Sequence, residues 1–234
     1  MLPVLSKVLE KFAISKFVHW KNFGKNQFAF VRGKGTGTTC ALTYVVNGIL
    51  KHLDKPGAVR MLMLDYSKAF DKALPCVILE SLEKLGVSGS GLAWFYSFLS
   101  DRVQRTSVNG HFSQWSAVTS GVPQGSCCGP ICFAAINEHL RAHFRNSELV
   151  KYADDTTLLH FIREQRDDHM QEEFDHLQRQ IDALGMLLNT SKTKEMILSS
   201  NSKLILHPLL AGEQVIESVS KARLLGLTLS EDLK

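Results

Sequence analysis

The 234-residue sequence lacks any uninterrupted apolar run approaching the ~18 residues that a membrane span requires. Its N-terminus, MLPVLSKVLEK, sets lysines inside the apolar stretch, which excludes a secretory signal core and fits an amphipathic helix. Cysteine is scarce: Cys40, Cys76, Cys127, Cys128 and Cys132 are odd in number and follow no framework spacing. A disulfide scaffold is thereby disfavoured, and a reducing, intracellular setting in nucleus or cytoplasm is expected. Repeats, low-complexity tracts and a clear linker are also missing. Acidic residues are nearly absent from the first 60 positions, where ten Lys and Arg face only Glu10 and Asp54, a net of +8 against −4 for the remainder. What is present is an ordinary globular composition, 44% hydrophobic and 21% charged.

The basic part interleaves its charge with Phe12, Phe17, Trp20, Phe23, Phe28 and Phe30. That pattern suits a polyanion with stackable bases. A basic solvated helix whose aromatics belong to the core explains it equally well.

Periodicity gives the elements. Val4, Leu5, Val8, Leu9 and Phe12 mark one helical face, and Thr38 or Thr39 can cap a second helix that runs to Leu53. Val59–Leu64 is a short apolar run that reads as a buried strand ending at Asp65. Helices are expected over Leu74–Leu85 and Gly91–Leu99. A hairpin is expected where Arg102–Val108 and Phe112–Val118 flank Asn109-Gly110. After the glycine-rich stretch 121–130 a helix of roughly 15 residues is predicted through Arg145. Strands at Glu148–Tyr152 and Thr156–Phe161 follow, with Ala153-Asp154-Asp155 at the turn. Met170, Phe174, Leu177, Ile181 and Leu184 line a long helix closed by Gly185, and short strands are placed at Glu195–Ser199 and Leu224–Leu229.

Chemistry concentrates in three carboxylates. Asp65 ends a buried strand, and Asp154 and Asp155 share the turn of KYADDTTLL. An Asp pair in a hairpin turn is by itself common, because water solvates it. Brought together, however, the three would repel and raise one another's pKa. Two divalent cations would relieve the conflict, with magnesium suited to hard oxygen donors and manganese as the alternative. Between these elements, SGVPQGSCCGP (120–130) offers close backbone approach at its glycines and a donor and acceptor on Gln124.

LDYSKAFD (64–71), SGVPQGSCCGP (120–130), YADD (152–155), LNTSKTKEM (188–196) and LLGLTL (224–229) occur in the order of the palm blocks of reverse transcriptases. They resemble most the non-LTR, LINE-type retrotransposon enzymes. LPVLSKVLEK (2–11) and QFAFVRGKGTGTT (27–39) resemble the blocks that precede the palm in that family. The resemblance implies an α+β right-hand polymerase palm, an antiparallel sheet backed by helices, with partial fingers. It places partial fingers and a template-side region at 1–58, the palm at 59–199 and a primer-grip region at 200–234. It implies RNA-templated DNA synthesis from an RNA template, a DNA primer and a deoxynucleoside triphosphate, without a membrane.

By position, Asp65 and Asp154 would be the principal metal ligands, with Asp155 supporting. The backbone amides of Tyr66, Ser67, Lys68 and Ala69 would face the triphosphate, and Phe70 would lie beneath the sugar and exclude a 2′-hydroxyl. Gln124 and Gly125 would line the nucleotide and template pocket. Lys192 would donate a proton to the leaving pyrophosphate, and Leu225-Gly226 would grip the primer. Arg32 and Lys34 would contact nucleic acid or triphosphate, although Ala29, Val31 and Gly35 depart from the block typical of relatives.

Relatives carry Tyr-Arg-Pro-Ile-Ser before the first matched stretch, and their chains continue into a thumb. A fragment of a longer retroelement protein, or a degenerate copy that only binds nucleic acid, is therefore expected. A different two-metal enzyme such as a nucleotide cyclase also sets an Asp pair on a hairpin. The intervening GVPQG and the spacing of Phe70 argue against it. Gly33–Gly37 lacks the Gly-Lys-Ser/Thr of a P-loop. The cysteines at 127, 128 and 132 lack zinc spacing, and His139 and His143 share a helix face without a third ligand.

Overall fold

A computed structural model of the chain describes residues 3–33, 35–201 and 203–233. In chain order it contains α1 Val4–Phe17, α2 Thr38–Leu53, β1 Ala58–Leu64, α3 Ala69–Lys72, α4 Pro75–Lys84 and α5 Ser90–Leu99. A ribbon of four short strands follows: β2 Arg102–Gln104, β3 Ser107–Val108, β4 His111–Phe112 and β5 Ser116–Val118. Next come α6 Cys128–Asn137, β6 Ser147–Tyr152, β7 Asp155–Ile162, α7 Met170–Ala183 and β8 Lys194–Ser199. The chain closes with β9 Leu210–Ala211, β10 Gln214–Val215, β11 Glu217–Ser218, β12 Lys221–Leu224 and β13 Leu227–Ser230.

The central sheet has the order β11-β8-β1-β7-β6. Its pairs are antiparallel except β11 with β8, which is parallel, so the sheet is mixed at one edge. β1 lies in the middle because every residue but Met63 is buried, as the apolar run VRMLML requires. Alternation sends Leu62 and Leu64 to one face, with Ile78, Leu82, Phe95, Phe133, Phe174 and Ile181 from the helices. It sends Val59 and Met61 to the other, with Ala41, Val45 and Ile49 of α2 and with Leu224 and Leu229. Each fully buried Leu or Ile contributes about 1.5–3 kcal/mol. Helices therefore cover both faces, not one. Under the first face Arg60 Nε bonds Glu195 at 2.7 Å and Nη1 reaches Asp168 at 3.2 Å, joining β1, β8 and the entry to α7.

Three sequence expectations are corrected, and the orientation of α1 is added. Thr38 and Thr39 lie inside α2; the N-cap is Gly37 at φ +108°, a backbone conformation that glycine accepts without strain. The helix expected through Arg145 stops at Asn137, because Glu138 and Leu140 turn their carbonyls to Arg141 and to Lys151 Nζ. His139 and His143 consequently share no helix face. The expected strand 224–229 is a hairpin, β12 against β13, turning at Leu225 and Gly226, which have φ +47° and +93°. Finally, the apolar stripe of α1 faces outward: Val4 is 78% and Leu5 81% exposed, while Glu10, Ala13 and Ile14 are buried.

Candidate active site

The β1–β7 register pairs Leu64 with Thr156, so the next residue, Asp65, stands across from Asp155, the first residue of β7. Tyr152 pairs with Asp155, which closes a two-residue turn of Ala153 and Asp154. Ala153 adopts φ +56°, the left-handed geometry of tight hairpins. Alternation along β1 and β7 places Asp65 and Asp155 on the same face as Met61 and Leu159, the face that α2 covers. The turn is held from below by buried Asn137, whose Nδ2 donates to Ala153 O at 3.0 Å. The Asp65 backbone is held on both sides: its N–H donates to Thr193 Oγ1 at 3.3 Å, and its carbonyl accepts from Asn189 N–H at 2.7 Å.

The Asp155 carboxyl is raised above the ordinary range, first by burial and then by the negative charges of Asp154 and Asp65. None of the three carboxylates meets a lysine, arginine or side-chain donor among the described residues. Among the described residues no three His, Cys, Asp or Glu side chains stand at ion-enclosing distance. A set of hard oxygen donors, one of them raised by its like-charged neighbours, fits a divalent cation such as magnesium.

Beside the aspartates, Tyr66 bridges antiparallel to Leu188, and the Ser67 N–H donates to Leu187 O at 2.8 Å. Of the four amides expected to face a triphosphate, that of Ser67 thus already has an acceptor within the protein. The Tyr66 ring is buried and its hydroxyl, near Thr156, is raised by burial. Lys68 turns the chain at φ +52°, α3 begins at Ala69, and the half-buried Phe70 ring lies 4.6 Å from Phe133.

The glycine-rich loop docks on this turn. Val122 N–H donates to Phe70 O at 3.0 Å, Ser120 Oγ to Asp71 O at 3.0 Å, and Gln124 Nε2 to Asp71 Oδ1 at 3.1 Å. Gly121 has φ +75°, and a Cβ there would stand 2.7 Å from Asp71 O, so the close approach demands glycine. Arg102 secures the loop from behind, donating to Gly121 O at 2.6 Å and Ser120 O at 3.2 Å. Asp71 and Gln124 open onto a cavity of about 1030 Å³ walled by α1, α5 and the strands of the ribbon.

The remaining expected residues separate. Exposed Lys192 sits in the turn that anchors Asp65, its N–H on Asn189 O. Exposed Gly125, at φ +78°, follows Gln124. Arg32 lies over the Trp20 ring at 5.4 Å, and Leu225-Gly226 forms the β12–β13 turn against the α2 side of the sheet. Lys34 lies outside the described residues.

Several residues escaped sequence reasoning. Asn137, Asn189 and Thr193 position the carboxylates; a buried Asn at the end of the apolar helix CGPICFAAIN was the available signal for the first. Lys151, behind the turn, is 2% exposed and donates to Leu140 O at 2.8 Å. Burial pulls its pKa down to about 7, with Glu138 opposing.

A family model described as reverse transcriptase (RNA-dependent DNA polymerase) matches residues 1–229. The RNA-directed DNA polymerase from the mobile element jockey of Drosophila melanogaster is 29% identical over 168 residues, 68% of this chain and 18% of that protein. Telomerase from Candida tropicalis in complex with a TWJ fragment of telomeric RNA superposes with a TM-score of 0.63 at 14% identity, over 99% of this chain and 37% of its own. The apo telomerase from the same yeast, truncated from its C-terminal domain, gives 0.58 at 15% identity, over 97% and 43%. Identities this low carry the fold alone, a right-hand polymerase fold of α+β class. The chain spans less than half the length of each of these relatives.

Proposed function

The chain belongs to the reverse transcriptase (RNA-dependent DNA polymerase) family, and from that premise we propose that it carries the catalytic palm for RNA-templated DNA synthesis within a retrotransposon protein. The observation that supports this most is Asp65 opposite Asp155 across β1 and β7, with Asp154 in the adjoining turn. Residues 59–199 would be the palm, 1–58 partial fingers and 200–234 the primer-grip region.

A primer 3′-hydroxyl would attack the α-phosphate of a deoxynucleoside triphosphate, and pyrophosphate would leave. Asp65 and Asp154 would hold two magnesium ions, with Asp155 supporting. Bound there, the ions would lower the pKa of the attacking hydroxyl and neutralise charge on the leaving oxygens. The turn from Tyr66 to Ala69 would orient the triphosphate through its remaining amides. Phe70, backed by Phe133, would press on the sugar and strip water from a 2′-hydroxyl, which disfavours ribonucleotides. Gln124 and Gly125, seated on Asp71, would line the base pocket. Lys192 would donate the proton that the pyrophosphate takes as it leaves. Arg32, Lys34 and Leu225-Gly226 would contact nucleic acid away from the reacting atoms.

Magnesium-dependent primer extension on an RNA template tests the reading. Extension should occur with this chain and disappear in Asp154→Asn while nucleic-acid binding persists. Binding without extension in the unsubstituted chain overturns it in favour of a remnant that only holds nucleic acid.

A further inference from the structure

The ribbon β2–β5 plays no part in the chemistry above, yet it is chemically distinctive. No Asp or Glu occurs between Asp101 and Glu138, whereas Arg102, Arg105 and His111 lie on the ribbon. The Arg105 guanidinium stands 4.0 Å from the Phe112 ring centroid and 4.6 Å from that of Trp115, and it forms no ion pair among the described residues. Both rings remain largely in water, Phe112 at 58% and Trp115 at 61% exposure. Exposed hydrophobics are common on this chain, but two exposed rings grouped about one arginine form a contiguous apolar patch with a polar rim, the pattern of an interaction surface. An arginine laid on ring faces keeps its N–H donors at the rim, where phosphate and base edges bind.

The ribbon is also continuous with the candidate site. Its base strands, through Val103, Gln104, Ala117 and Val118, wall the same cavity that Asp71 and Gln124 line. Its root is tied to the Gln124 loop by Arg102. We propose that this ribbon is a stacking platform for single-stranded nucleic acid, in particular the unpaired template strand on its way to the site. The inference rests on the polymerase reading for the identity of the strand, though not for the binding itself. Duplex bases stack on one another and offer mainly phosphates, whereas unpaired bases offer ring faces for Phe112 and Trp115. A docked protein strand is the rival occupant. The absence of acids over the ribbon and its opening towards Gln124 favour the polyanion.

The test uses the full chain and two labelled primer–template duplexes that differ only in the unpaired template overhang, ~2 against ~12 nucleotides, a span chosen to cover one single-strand binding site. The longer overhang should bind roughly tenfold tighter by fluorescence anisotropy. Phe112→Ala with Trp115→Ala should erase that gain while the short-overhang affinity stays put. Phe112→Tyr with Trp115→Phe should restore it, and Arg105→Gln should reduce it with the rings intact. Circular dichroism establishes that each variant is folded. An overhang gain that survives the double alanine variant, or its absence from the unsubstituted chain, overturns the platform. Extension with an unchanged gain in the variant sinks the platform alone, and a ring-dependent gain without any extension sinks the polymerase reading alone.

Discussion

Glu10, on the first helix, accepts a hydrogen bond from the backbone N–H of Cys128 at 3.0 Å and another from Cys127, across more than a hundred residues of chain. The buried carboxylate thereby meets the unpaired amides and the positive dipole end of α6. Glu10→Gln, which keeps one acceptor oxygen for the two amides but removes the charge that strengthens both bonds, should cost about 1 kcal/mol in urea unfolding. An unchanged midpoint would show that α6 needs no such anchor.

This bond also bears on the apolar stripe of α1, which marks the helix correctly but says nothing of which side it buries. Periodicity identifies a helix and its faces, but the face that turns inward here is the one bearing Glu10, Ala13 and Ile14. A single distant hydrogen-bond partner is invisible to a local pattern. β1 was legible for the opposite reason, since a fully buried strand writes its environment into consecutive apolar residues. Asp65, Asp154 and Asp155 could be singled out as candidates because acids at strand ends stand out against that background. Their supports could not be: Asn137, Thr193 and Asn189 are ordinary polar residues until the fold presents them to Ala153 and Asp65. The early end of α6 and the 221–230 hairpin depend likewise on partners far along the chain.

Asp155 is expected to trade stability for function. Because its folded pKa is raised, the native state holds the proton more tightly than the unfolded chain does. Stability from this group is present at acid pH and is lost as pH rises through the raised value. Asp155→Asn should therefore raise the melting temperature slightly at neutral pH. Solvent screening keeps the effect below about 1 kcal/mol. Magnesium should raise the melting temperature of the unsubstituted protein more than that of Asp65→Asn.

Lys151 predicts a distinct alkaline signature. Its folded pKa of about 7 lies below the ordinary value of 10.5. Between these values the unfolded chain binds a proton that the native state refuses, so stability rises with pH across that window. Thermal melts at pH 7 to 10 should show this rise in the unsubstituted protein and a flatter profile in Lys151→Met. Equal slopes would mean that the ammonium stays charged in the fold.

Gly121→Ala combines a left-handed backbone with a Cβ placed 2.7 Å from Asp71 O. A loss of roughly 1–3 kcal/mol is expected. Displacement of Gln124 from Asp71 should weaken nucleotide binding, read as a rise in KM larger than the fall in kcat.

Phe70→Ala should remove the surface under the sugar. Discrimination against ribonucleotides is expected to fall on the order of tenfold, measured as the ratio of kcat/KM for deoxy and ribo substrates in primer extension. An unchanged ratio would place the sugar elsewhere.

The pairing of Leu64 with Thr156 has a consequence for how such a chain tolerates length changes. Because Asp65 meets its counterpart through the hydrogen-bond ladder itself, losing or gaining one codon within β1 or β7 would flip a carboxylate to the opposite side of the sheet. Substitutions that keep hydrophobicity leave this register intact, but a frame-preserving indel of a single residue would take the candidate centre apart in one event.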